Sequence, residues 1–156
     1  MKISDFLKPS DVIADLAGTT AQAVLAELCG LVAHAGPQAG LIDAQILLDT
    51  LLAREQLGST GIGDGVAIPH GRVPGLPSLR AALGRSRAGI DFKAADDKPT
   101  HIFVALFAPA SGPGLHLHAL ARLSRVFKDP ALRDAVMQAR DAAEIYQRID
   151  AEDAKP

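Results

Sequence analysis

Apolar positions recur along this chain with two different periods, and the switches between them predict alternating strands and helices. Residues 11–16 are a short apolar-rich run between Pro9 and Gly18, which predicts a first strand. Val24, Leu25, Leu28, Leu31 and Val32 then recur at helical spacing. Thr19 with Gln22 reads as the capping box that opens this helix, and Gly36-Pro37 closes it. Asp43 is placed to cap a second helix, which runs to about Leu57, ends at Gly58 and carries Leu47 and Leu51 on one stripe. Residues 79–86 and 90–92 predict strands, and 96–99 a turn. Residues 101–107 are the strongest strand, apolar from Ile102 onward and therefore central. A helix is expected from about Leu115; after the break at Asp129-Pro130, two more follow over 131–138 and 142–149. The pattern predicts an α/β fold: a single domain over residues 1–150, a mixed β-sheet of about five strands, helices on both faces. Residues 151–156 are expected to fray.

Composition narrows the partners. The 156 residues suffice for one domain with a sound core. Aromatic residues make up 4% of the chain and tryptophan is absent, so base stacking has little material. The formal charge is −2 with no block of Lys or Arg, which argues against a nucleic-acid partner. The start lacks the apolar run of a signal peptide, and the longest apolar run, 102–110, is too short to span a bilayer. Cys29 falls beside a helical apolar stripe and reads as a small buried hydrophobe in a reducing compartment. A cytoplasmic protein with no membrane insertion is expected.

One stretch stands apart from this regular pattern. Residues 58–65 contain four glycines, and Val66-Ala67-Ile68 then leads to His70 between Pro69 and Gly71. Proline fixes a backbone angle before the histidine and glycine removes bulk after it, so the imidazole is expected on a stiff stem with room for a large partner. Neutral imidazole is a nucleophile near pH 7, able to take a proton, bind a metal or accept a phosphoryl group. Ser59, Thr60 and the N–H groups around Gly61 are expected to form an anion-binding concavity beside it.

Other polar residues are placed by periodicity. Arg54 follows Leu47 and Leu51 on their stripe. It reads equally as a cation favoured at a helix C-terminus or as a guanidinium facing a phosphate. His118 shares a stripe with Arg122 and Arg125, a solvated face; His116 lines up with Leu120, Leu123 and Phe127, on the inward side. His34 and His101 are given no functional role.

The double block of residues 54–63 and 66–72 resembles the phosphorylation site of enzyme IIA proteins of the sugar phosphotransferase system, mannitol/fructose class. Its wording is closest to the nitrogen-regulatory branch, and the similarity runs from about Ile3 to about Ile149. The resemblance implies that His70 accepts a phosphoryl group at Nε2 from a histidine phosphocarrier protein, with no cofactor or metal. It implies a second active-site histidine at His116, and it favours the functional reading of Arg54. Ser59, Thr60 and Gly61 would help to hold the phosphate, and the carrier would dock on an apolar rim near Val66, Ile68 and Leu115. The output would be regulation of target proteins or, alternatively, transfer to a sugar-specific IIB protein.

Other chemistries fit less well. A zinc site from His70, His116 and Asp64 lacks a His-x-x-x-His pair and clustered cysteines. Gly58-Ser59-Thr60-Gly61 is not a hydrolase elbow. Gly61-x-Gly63-x-Gly65 lacks a Walker lysine and the strand-to-helix context of a nucleotide loop. A glycine-rich hairpin carrying an incidental histidine remains as the structural alternative.

Overall fold

The computed structural model describes residues 1–35, 39–112 and 114–156. Strand β6 (Thr100–Pro109) is the middle of a six-stranded mixed sheet, as its unbroken apolar run predicts. On one side it pairs antiparallel with β5 (Arg80–Ile90), which in turn carries the short parallel strand β1 (Val12–Ile13). On the other side it runs parallel to β3 (Val66–Ala67) and β4 (His70–Val73), and β2 (Gly61–Gly63) forms the edge, antiparallel to β3.

Successive β6 residues point to opposite faces, and each face has its own core. Ile102, Val104, Leu106 and Ala108 pack against α3 (Leu115–Phe127), α4 (Pro130–Gln138) and α5 (Ala142–Asp153). Phe103, Ala105 and Phe107 pack against α1 (Ala21–His34) and α2 (Ala44–Glu55). Helices on both faces are therefore required to cover a strand with no polar side. Cys29 is buried in the second core, and desolvation pushes its thiol pKa up to about 12. Among the described residues no helix is long and apolar enough to cross a membrane.

Several expectations are corrected. The mixed sheet of about five strands is present; among the described residues it has six, three of them short ones between Gly61 and Val73. The strands expected at 79–86 and 90–92 are one strand, β5, whose register shifts between Arg85 and Ile90. Thr20, not Thr19, caps α1 by accepting the Ala23 N–H at 3.2 Å; Gly36-Pro37 lies outside the described residues. Asp43 caps α2 through the Gln45 N–H at 2.7 Å, as expected. The expected frayed tail is wrong for residues 151–153. There α5 continues to Asp153, whose carboxylate is 2% exposed, accepts the Ile3 N–H at 2.7 Å and receives Arg122 Nε at 2.5 Å. That carboxylate ties the last helix to the chain's start and to α3, so the end is held by charge rather than by apolar periodicity.

One buried charge shapes the layer under α3–α5. Arg85 on β5 has no exposed surface. Its Nε donates to the Ala14 carbonyl at 2.9 Å, and its Nη1 to those of Val136 at 2.8 Å and Ala139 at 2.7 Å. The guanidinium thus adds donors to carbonyls at the C-terminal end of α4 and joins that end to the chain just after β1.

Candidate active site

Glycines in the 58–65 stretch build a hairpin. β2 and β3 are joined by Asp64-Gly65, both at positive φ (57° and 79°), the signature of a two-residue type I′ turn that Asp-Gly favours. The Asp64 N–H donates to Asp96 Oδ2 at 3.0 Å, and the Lys98 N–H to its Oδ1 at 3.1 Å. These backbone donors, Asp64's first, hold the Asp96 carboxyl below its usual range. The groups expected to bind anions are engaged within the protein. The Thr60 hydroxyl and N–H both donate to the Glu55 carboxylate, the N–H at 3.2 Å. Gly61 N–H donates to Ser59 Oγ at 3.0 Å, and that hydroxyl donates to the Phe92 carbonyl at 2.7 Å.

This frame presents His70. Between β3 and β4, the Ile68 N–H donates to the Thr60 carbonyl at 3.1 Å, and the Pro69 carbonyl accepts from the Leu106 N–H at 2.8 Å. His70 opens β4 opposite Leu106, half-buried. Its Nδ1 lies 2.7 Å from the Ile68 carbonyl oxygen. A carbonyl only accepts, so in the neutral ring Nδ1 carries the proton and Nε2 keeps the lone pair. The expected stiff stem is present, but Gly71 serves a different purpose from the one its position suggested. A Cβ there would fall 2.4 Å from Thr50 Cγ2, so the missing side chain lets α2 pack on β4. It is not clearance for a partner.

Strand alternation directs His70 and Arg72 to the α3 face, while Val73 joins the α1/α2 core. On α3, His116 is half-buried and His118 exposed, as the two stripes predict. Burial lowers the His116 pKa, and the charges of Arg72 and then His70 lower it further, so its ring is neutral around pH 7. The His116 Nδ1 is buried and has no hydrogen-bond partner among the described residues. Gly114 caps α3 without a side chain, leaving the positive helix end close to this ring.

Arg54, Ser59, Thr60 and His70 line one cleft of about 250 Å³, with Ile62, Ile68, Leu120 and Ser124 completing it. Arg54 Nη1 donates to the Gly58 carbonyl at 2.9 Å, so this cation both closes the end of α2 and faces the histidine's cleft. A larger cleft of about 590 Å³ between α1 and α2 contains neither histidine. The expected docking rim is corrected: Val66 and Ile68 are 1% and 2% exposed and belong to the core. The exposed apolar side chains here are Ile62, Leu115 and Leu117. Asp64 lies on the neighbouring cleft with Lys128, and among the described residues no three His, Cys, Asp or Glu side chains converge as metal ligands would. His101, given no role above, sets its Nδ1 2.8 Å from the Ser86 carbonyl.

Two residues of the site escaped the sequence reading. Arg72 was signalled by its i+2 position from His70 on a strand. Glu55 gave no usable signal, because its partner Thr60 lies beyond the end of its helix.

The fold is that of a phosphotransferase-system IIA component. The family model for the phosphoenolpyruvate-dependent sugar phosphotransferase system, EIIA 2, matches residues 5–152, and the chain belongs to that family. It is 34% identical over 146 residues to a nitrogen regulatory protein of Bradyrhizobium diazoefficiens, covering 94% of this chain and 93% of that one. It is 33% identical to a nitrogen regulatory protein of Pseudomonas aeruginosa, covering 96% and 95%. The crystal structure of nitrogen regulatory protein IIA-Ntr from Neisseria meningitidis superposes with a TM-score of 0.86 at 31% identity, covering 94% of this chain and 98% of that one.

Proposed function

We propose that this protein is a phosphocarrier of the nitrogen-regulatory branch, which accepts a phosphoryl group on His70 and acts on target proteins according to that state. The observation that carries the reading is the His70 Nδ1 contact with the Ile68 carbonyl, which leaves Nε2 as the nucleophile at the cleft. The donor is a histidine phosphocarrier protein. Nε2 forms the new N–P bond, the donor's N–P bond breaks, and its electron pair returns to the donor's ring. His70 then carries phosphorus on Nε2 and a proton on Nδ1, and the Ile68 carbonyl stabilises the resulting imidazolium. Little other chemistry is needed, so the protein supplies position and charge.

Arg54, Arg72 and the α3 N-terminus supply positive charge around the transferred group. A phosphoryl oxygen would give the neutral His116 ring a hydrogen-bond partner. Ser59, Thr60 and Gly61 contribute by holding the hairpin, and Ile62, Leu115 and Leu117 give the carrier an apolar contact. His116→Ala is expected to slow uptake about ten- to a hundredfold with the fold intact, the cost of a lost charge-assisted hydrogen bond. His118→Ala should change the rate less than twofold; single-turnover uptake from the phosphorylated carrier measures both. Equal defects would overturn the assignment of the two helix faces.

Phosphorylation adds a roughly doubly negative group at the centre of this surface. A target that covers His70 with apolar or acidic groups is expected to bind the phosphorylated form about 5- to 150-fold more weakly, the usual span of such couplings. Affinities of captured targets for the two forms measure this. If every target binds both forms equally, transfer to a separate sugar-specific IIB becomes the better reading. Uptake from nitrogen-branch and sugar-specific carriers, compared side by side, tests the branch.

A further inference from the structure

We infer that Glu55 is a positioning residue for His70, acting through Thr60 and Ile68 to fix which ring nitrogen carries the proton. The inference rests on the proposal that His70 is the phosphoryl acceptor, and it names the group that readies that acceptor.

Glu55 is the last residue of α2, where the helix dipole disfavours a carboxylate. Its charge is compensated by two donors from one residue, the Thr60 N–H at 3.2 Å and the Thr60 hydroxyl. Thr60 is 5% exposed, so a lost partner there would leave buried polar atoms unsatisfied. The same residue's carbonyl accepts the Ile68 N–H at 3.1 Å, and the Ile68 carbonyl accepts Nδ1–H of His70 at 2.7 Å. The links therefore run unbroken from a carboxylate on α2 to the imidazole. They cross a place where the sheet cannot help, because Ile68 and Pro69 lie between β3 and β4. There the chain is held by the Thr60 bond on one side and the Leu106 bond on the other. The N–H and the carbonyl of Thr60 belong to successive planar peptide groups, as do those of Ile68, so the coupling is one of position: fixing Thr60 fixes the Ile68 peptide that faces the ring. Glu55 does not touch the reacting nitrogen; it keeps the Ile68 carbonyl aimed so that Nε2 stays unprotonated.

The test uses 15N-labelled full-length protein. Long-range 1H–15N spectra report the His70 tautomer, and uptake from the phosphorylated carrier reports function. Glu55→Gln removes the charge and one of the two acceptor oxygens at the first link, and Thr60→Val removes the hydroxyl donor there, while each keeps the side-chain shape. Both are expected to turn a predominantly Nδ1–H ring into a mixture and to slow uptake about tenfold. Thr60→Ser keeps the hydroxyl and is expected to restore both readouts to within about twofold. A purely structural role would lower the melting temperature without moving the tautomer. An unchanged tautomer in both breaking variants overturns the inference, whatever the uptake rates. If His70→Ala still takes up phosphate, the parent proposal fails, while the tautomer data still decide the role of Glu55.

Discussion

Replacing His70 with alanine is expected to reduce phosphoryl uptake from one acid-labile, base-stable phosphate per chain to none. The protein should stay folded. The side chain is half-buried at the start of β4, and among the described residues it bonds to the Ile68 carbonyl beside it. Losing one such bond costs about 1 kcal/mol, far less than the stability of a domain this size. No other group in the cleft takes its place. Ser59 donates its hydroxyl to Phe92, Thr60 donates to Glu55, and His116 is neutral but half-buried on the opposite element. The assay combines phosphoenolpyruvate, the general enzyme and the carrier, with circular dichroism on the same sample. Uptake by a folded His70→Ala protein would remove the basis of the functional reading.

The largest expected effect on stability comes from a residue outside the site. Arg85→Ala should cost about 3–5 kcal/mol, the sum of a cavity and of buried carbonyls that lose a donor. The substitution would take a donor from the carbonyls of Ala14, Val136 and Ala139, of which Val136 keeps the Ala139 N–H, and would open a cavity beside β5. Burial and the nearby Arg87 already lower the Arg85 pKa, with Asp15 opposing them, so the charge is held at some cost. Arg85→Met fills the space without the donors and should fall between wild type and Ala. Urea unfolding measures all three proteins. A loss below about 1 kcal/mol for Ala would show that desolvation of the guanidinium cancels its bonds.

How far the sequence carries the structure varies with the kind of force involved. Periodicity located β6, α1, α2 and the opposed faces of His116 and His118, because burial imposes a repeat of 2 or 3.6 on apolar positions. It failed where one residue type serves two ends. Glycines near His70 read as an anion cradle, yet Asp64-Gly65 needs positive φ for a turn and Gly71 yields its space to Thr50. Val66 and Ile68 read as a docking rim, yet they line the core because β3 and its extension lie inside the sheet. Long-range polar bonds were invisible for a different reason. Glu55 with Thr60, Arg85 with the end of α4, and Asp153 with Ile3 leave no periodic trace. His70 stood out in the sequence by its Pro/Gly setting, but the tautomer of its neutral ring needed the Ile68 carbonyl.

The central claim is that Nε2 of His70 is the atom that receives the phosphoryl group. It is tested most directly on 15N-labelled protein phosphorylated by the carrier, by locating the phosphorus with long-range 1H–15N and 31P spectra. The account predicts a single phosphorus, bonded to Nε2 of His70, with Nδ1 still protonated against the Ile68 carbonyl. Phosphorus on Nδ1 of His70, or on His116 or any other residue, would contradict it.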